Sequence, residues 1–518
     1  MKFLRRRSAR RLRIRPGILF TALLLSGILI LLSPPPPLGA ENVQAEEYWY
    51  EILINGRKSG WMVRRKIRRN GFLEGRMDMK YFLRRGKNTM PVSIREEWKE
   101  GQNGEPIYMK YEQVFSARRE VSEAVFKRDG VHLKTLQGEK TVVQKIPLPE
   151  RRWFMPFAAE RFVRKRSRAG AKILNYLLFE ASRPAGFYTT RFVIGRARSI
   201  RVSGRVVEAV ERKIRLSSSR DSRIVDYVDR RGRMLKTVMH LGIFKIVFLA
   251  SSPDRVRKNI NPPEVLARTL IPSPRPLKNP RTMRRARYRL IVLKGKLPDL
   301  PSGGVQTFTR GDKTRGVVRI NLDGVGANQP RTKKRRTRLV PRVKHSAMIN
   351  GRDPLIRRLA RRAVRGIGTD EKKRAEAMRR FVYRFIKKKD LGVGFASASQ
   401  TARSARGDCT EHAVLLAALL RADGRPARIV SGLVYVPEFL GKKNVFVYHM
   451  WTQVYLASEG RWRDLDSALG VGSPFDAAHI TLAVSDLDTG TEDDFLGELY
   501  ELYGNLRIEV LSERPSGS

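Results

Sequence analysis

Hydrophobic and polar residues change their rhythm along the chain. From Tyr48 to Phe248 the dominant period is two, the signature of half-buried strands. Tyr48–Ile54, Met77–Leu83, Met90–Trp98, Tyr108–Phe115 and Glu123–Phe126 all read this way. Asn55-Gly56, set between Ile54 and Trp61-Met62-Val63, is a hairpin signal, because that turn needs positive φ at both positions. Met155–Val163 predicts a short helix. Alternation then resumes at Ile173–Phe179, Phe187–Ile194, Val206–Ile214, Ile224–Val228, Leu235–His240 and Phe244–Phe248. Arg285–Leu293 and Gly316–Leu322 read as strands of the same β-rich segment.

After residue 350 the period lengthens. Asp353-Pro354 offers a cap and a first-turn proline for a helix closing near Gly366. Thr369-Asp370-Glu371 opens another, with Ala375, Met378, Phe381, Val382 and Phe385 at helical spacing. Ala413–Ala422 is strongly helix-forming and almost wholly apolar, so it predicts a buried helix ending near Gly424 and Pro426. Val445–Leu456, the turn Glu459-Gly460 and Arg461–Asp466 predict a hairpin. Near the end, Phe495/Leu496 and Leu499/Tyr500 suggest a short amphipathic helix among acidic residues, and Leu506–Leu511 a last strand.

These patterns divide the chain at 1–40, 46–150, 151–325, 326–350, 351–485 and 486–518. Residues 1–40 join an arginine-rich start (Arg5, Arg6, Arg7, Arg10, Arg11, Arg13, Arg15) to an apolar run Gly17–Leu32, Pro34–Pro37 and the small residues Gly39-Ala40. That order predicts a secretory signal or a retained membrane anchor, and hence an exported, periplasmic, cell-envelope or membrane-tethered protein. Residues 251–282 and 323–352 have linker composition. The basic run Arg331–Arg338 is discounted as a nucleic-acid site, because an exported protein rarely meets DNA and basic residues are spread over most of the chain.

Lys and Arg number 105 against 50 Asp and Glu, a formal charge of +55. One account is attraction to an anionic envelope polymer, an acidic substrate or an anionic lipid surface. The other is an Arg-rich solvated surface, which the diffuse distribution favours slightly.

Cys409 is the single cysteine, so no internal disulfide can form and stability rests on hydrophobic cores. A lone thiol is usually a small buried hydrophobe. Cys409, however, sits where a small, polar loop becomes the buried helix. There the positive dipole end and unpaired N–H groups favour a thiolate and can hold an oxyanion. His449 and Asp466, on neighbouring strands facing that helix, supply a base and an orienting carboxylate. Asp464 is the rival to Asp466, two residues away on the same strand face. Asp408 reads as a cap, and Glu411 and His412 as local hydrogen-bonding groups. Without paired cysteines or HExxH spacing, neither a metal nor another cofactor is implied.

Four ordered blocks carry a resemblance. Gly407-Asp-Cys-Thr-Glu-His-Ala413, Leu420-Arg-Ala-Asp-Gly-Arg-Pro-Ala-Arg-Ile-Val-Ser-Gly432, His449-Met-Trp-Thr-Gln-Val-Tyr455 and Trp462-Arg-Asp-Leu-Asp466 resemble the transglutaminase-like superfamily over about residues 350–485. Arg425 stands where Ile is usual and Gln453 where Glu is common. The resemblance implies an α+β fold. The β-rich N-terminal region read from the alternation then precedes a papain-like domain whose cysteine helix packs on an antiparallel sheet. The resemblance also implies Cys409 as nucleophile, His449 as base, Asp466 as orienter, and a peptide carboxamide or amide substrate. A second oxyanion donor is expected from Phe395–Gln400, with Gln400 the candidate. The alternative is a binding or scaffold protein that keeps the fold without catalysis, and a weaker one is a polyanion binder.

Overall fold

The computed structural model describes residues 44–515 apart from 70, 117, 138–139, 184, 218, 242, 324–340, 342, 390, 473–474 and 488–501. The expected N-terminal signal or anchor, the Arg331–Arg338 run and the acidic amphipathic helix therefore lie outside the described residues. Among those described, no helix is long and apolar enough to cross a membrane.

The molecule is rich in sheet. One sheet of 15 strands takes in all the strands between residues 44 and 251. It opens with the predicted hairpin: Gln44–Ile54 and Arg57–Arg69 are joined by Asn55 at φ 50° and Gly56 at φ 81°. The meander continues to Lys140–Ile146. A second meander runs from Trp153–Phe154 to Phe244–Ser251, and this last strand pairs with the first through Trp49↔Ser251 to Ile54↔Ile246. The segment 46–150 and the part of 151–325 up to Ser251 thus meet in one sheet, and Tyr50, Met79, Trp98, Phe179, Phe192 and Phe248 share one core. Helix Pro156–Arg168 packs on it, with Arg64 paired to the buried Glu160.

Two of the expected strands belong elsewhere. Met283–Val292 and Arg315–Asn321 do not join the large sheet; with Gln306–Arg310 and Leu506–Pro515 they form a separate four-stranded sheet. Alternation reveals a strand but not its partner. Here the choice is made by Tyr288, Leu290 and Ile320, which are buried with the Cys409 helix rather than with the front. The terminal strand brings acid to a basic surface, Glu509 to Arg289 at 2.8 Å and Glu513 to Arg275 at 2.5 Å.

The third sheet holds the predicted hairpin. Its order is Ile271–Pro272, Lys442–Leu456, Ala427–Phe439, His479–Ser485, with Arg461–Leu465 paired to Lys442–Leu456. The helices Pro354–Ala363, Glu371–Phe385, Ala398–Ser404 and Cys409–Ala422 accompany it. Asp353 caps the first by accepting from the N–H groups of Leu355 and Ile356, and Asp370 caps the second through Lys373. Nearly every residue of the Cys409 helix beyond its first turn is buried, including Val414, Leu415, Leu416, Leu419 and Leu420. At about 1.5–3 kcal/mol for each large apolar side chain, that burial fixes where the helix begins.

Candidate active site

The start of the Cys409 helix is over-determined. Gly407 takes φ 150°, and a Cβ there would lie 2.2 Å from the Glu411 side chain. Asp408 Oδ1 accepts from Thr410 N–H at 3.0 Å. Glu411 returns the bond, accepting from Asp408 N–H at 2.9 Å through Oε2 and from Ala396 N–H at 2.8 Å through Oε1. Burial and the neighbouring Asp408 push the Glu411 carboxyl well above its usual range. His412 is buried with Nδ1 2.6 Å from the Asp408 carbonyl oxygen. Glu411 and His412 are thus parts of the helix end, as local bonding predicts. They leave Cys409, half-buried, at the first helical position.

The helix is pinned to the sheet beneath it. Thr452 Oγ1 donates to the Ala413 carbonyl at 2.9 Å, and Ser467 Oγ to the His412 carbonyl at 3.1 Å. His449 lies opposite Gly432 in the adjoining strand. A Cβ on Gly432 would fall 2.1 Å from the Ile480 carbonyl oxygen and 2.5 Å from the Trp451 ring, so only glycine lets the strands and the indole close up.

The structure brings all three predicted residues together. Cys409 lies close enough to His449 to favour its charged form, and His449 Nε2 lies 2.7 Å from Asp466 Oδ2. Burial works against a charged His449, yet Asp466 and Cys409 outweigh it and raise the imidazole to about 9. Burial would likewise raise Asp466, but the two imidazoles bonded to it hold the carboxyl well below the ordinary range. Asp466 itself is fixed: Oδ1 accepts from Ala468 N–H at 2.7 Å. The wholly buried Arg379 donates to the carbonyls of Asp466, Gly470 and Val471.

Asp464 takes no part in that chain. It accepts from Trp451 Nε1 and Gln453 Nε2, both at 2.8 Å, and burial raises its carboxyl. This explains Gln453: an amide donates to Asp464 where a glutamate would repel it. Gln400 is occupied as a helix cap, its Oε1 accepting from Ser397 N–H at 2.9 Å and Ser397 Oγ accepting from Gln400 N–H.

One member of the cluster escapes sequence reading. His479 Nε2 is 3.2 Å from Asp466 Oδ2, and its Nδ1 is 2.9 Å from Asp476 Oδ1. Burial opposes its charge, but Asp476 and Asp466 raise it to about 9. It stands on a separate strand with no motif around it, so only the fold brings it to Asp466. His449, Asp466 and His479 present ligand atoms within 4.8 Å of one another, the spacing a small cation would need. Both histidines bond Asp466 through Nε2, so one carboxylate is shared by two imidazoles.

A thiol at a helix start, beside a histidine that is bonded to a buried carboxylate, is equipped for nucleophilic attack on a carbonyl. The family model of the transglutaminase-like superfamily matches residues 357–467. No curated protein matches the sequence. Solved structures similar to the chain include a β-barrel-like protein of a domain of unknown function from Brucella abortus. It shows 14% identity and a TM-score of 0.32, over 40% of this chain and 96% of that one. A candidate cysteine protease from Cytophaga hutchinsonii shows 13% identity and a TM-score of 0.26, over 45% and 85%. A candidate protease from Parabacteroides distasonis shows 10% identity and a TM-score of 0.19, over 74% and 68%. With its ordered motif blocks and the family match over the same stretch, the chain carries a transglutaminase-like superfamily domain at residues 357–467.

Proposed function

We propose that the protein is a cell-envelope cysteine acyl-transfer enzyme acting on a peptide carboxamide or amide bond, with Cys409 as nucleophile, His449 as base and acid, and Asp466 as orienter. The observation that carries this reading is the succession of the only thiol at a helix start, His449 beside it and a buried Asp466 2.7 Å from the imidazole. The thiolate attacks the carbonyl carbon, and the Cys409 N–H at the helix start receives the oxyanion. As the C–N bond breaks, His449 passes its proton to the departing ammonia or amine. The thioester is then resolved by an amine, giving transamidation, or by water, giving deamidation or peptide cleavage. The envelope location rests on the residue pattern of 1–40.

The test is iodoacetamide labelling of the full chain across pH, beside His449→Ala. An activated nucleophile labels well below the pH at which a free thiol does, about 8.5, and loses that advantage in the variant. Labelling that ignores His449, or that begins only on unfolding, would overturn the reading. Ammonia release, incorporation of a fluorescent amine into a glutamine peptide, and peptide cleavage then separate the three outcomes.

A further inference from the structure

We propose that the β-rich front belongs to the reaction centre: Arg85, from the large sheet, is a positioning residue that holds the start of the Cys409 helix and sets a cation beside the thiol. This rests on the reading of Cys409 as nucleophile and assigns part of that centre to a segment outside the transglutaminase-like domain.

Arg85 ends the strand Phe72–Arg85 and is only partly exposed. Its Nη2 donates to Asp408 Oδ2 at 2.7 Å, and its Nη1 to the Val393 carbonyl at 3.3 Å. Asp408 is the residue before the thiol, and its other oxygen already accepts from Thr410 N–H. One carboxylate is therefore shared between the sheet and the helix that presents Cys409. Burial alone would lower the guanidinium, but Asp408 and Cys409 outweigh it and hold the charge firmly.

The sheet is seated there by other contacts. Ser116 Oγ donates to the Gly392 carbonyl at 3.3 Å. Gly394 lies so close to Phe115 that a Cβ would stand 2.7 Å from its ring. Gly86, the next residue after Arg85, meets Leu391 and Leu440. The loop leading toward the cysteine helix thus lies against two turns of the front sheet. Tyr503 is packed against the front core and edge-on to Tyr448 with ring centroids 4.3 Å apart. Burial, opposed by Arg85 and helped by Cys409, raises its hydroxyl to about 12, so it stays neutral beside the thiol. Arg85 is the cation that this arrangement brings into electrostatic contact with both Cys409 and Tyr503.

Docking alone and a charge beside the thiol make different forecasts. In the full chain, Arg85→Gln removes the charge and keeps a shorter donor, Arg85→Lys keeps the charge, and Ser116→Ala removes a docking bond to the Gly392 carbonyl that involves neither Asp408 nor Cys409. Each is alkylated from pH 5.5 to 9 with neutral iodoacetamide and with anionic iodoacetate. Arg85→Gln should label about three- to tenfold more slowly at neutral pH and recover when alkaline, as the loss of one nearby opposite charge implies. Its preference for iodoacetate over iodoacetamide should also fall. Arg85→Lys should restore both readouts to within about twofold, and Ser116→Ala should leave them unchanged. If Arg85→Gln does not fold, Arg85→Lys still tests the charge, since it should keep the wild-type reagent preference and its screening by high salt.

An Arg85→Gln protein that labels like wild type at every pH, or that falls together with Ser116→Ala, would overturn the proposal. So would a wild-type protein with no salt-sensitive reagent preference. The companion His449→Ala sample tests the nucleophile itself. If it labels as fast as wild type, the parent reading fails, whereas the Arg85 comparison is made against wild type alone.

Discussion

Asp466→Asn tests the buried ion chain directly, through the pH dependence of folding. The carboxylate is bonded to His449 at 2.7 Å and His479 at 3.2 Å, and each imidazole is raised from 6.5 to about 9. A group whose folded pKa is raised stabilises fully below its unfolded value and loses that stability as pH climbs through the folded value. The window is therefore from about 6.5 to about 9. At pH 7.5 the folded His449 is almost wholly protonated and the unfolded one about one-tenth so. Stability then falls by about 1.2 kcal/mol per pH unit on account of this residue alone. Asparagine keeps the shape and removes the charge, while His479 keeps its second partner, Asp476, at 2.9 Å. The slope difference between the two proteins should therefore be about 1 kcal/mol per pH unit or somewhat more. The assay is denaturant unfolding at intervals from pH 7.0 to 8.5, with Cys409 kept in both proteins because it helps to raise the His449 imidazole. Using the difference cancels the carboxyls of Glu100 and Glu411, which are also raised. Parallel stability curves would refute the reasoning, since they would mean that Asp466 does not hold His449 charged.

Two further outcomes follow from packing around the site. Gly432→Ala forces a Cβ against the Ile480 carbonyl and the Trp451 ring, so it should destabilise by about 1–3 kcal/mol and slow Cys409 alkylation; an unchanged melting curve would show that the strands have room to part. Glu411→Ala strips the acceptors from the N–H groups of Ala396 and Asp408 at the buried helix start, and should cost about 1–3 kcal/mol in unfolding measurements, with loss of alkylation at low pH; full stability would mean that those groups find other partners.

Much of the local structure follows from the sequence because its causes are local. Asn55-Gly56 dictates its hairpin, Asp353 and Asp370 cap the helices that they precede, and the apolar run after Cys409 has to be buried. Cys409, His449 and Asp466 stand out because a helix start and a hairpin fix their surroundings within a few residues each. Other features depend on which distant surfaces complement one another. The strands at Lys140–Ile146 and Gly130–Gln137 are polar enough to escape periodicity and are held by their neighbours in the large sheet. Met283–Val292 could have paired with the front; its partner, Leu506–Pro515, lies some two hundred residues on, chosen by the core that Tyr288 and Ile508 fill. His479 reaches Asp466, and Arg85 reaches Asp408 across 323 residues, with nothing beside either in the chain to announce it. Sequence alone determined most of the elements and singled out Cys409, His449 and Asp466 as candidates, since propensity, capping and spacing act within a few turns. Only tertiary structure decided which sheet each strand joins and which additional charges face the site, because pairing and burial are settled between segments brought together by folding.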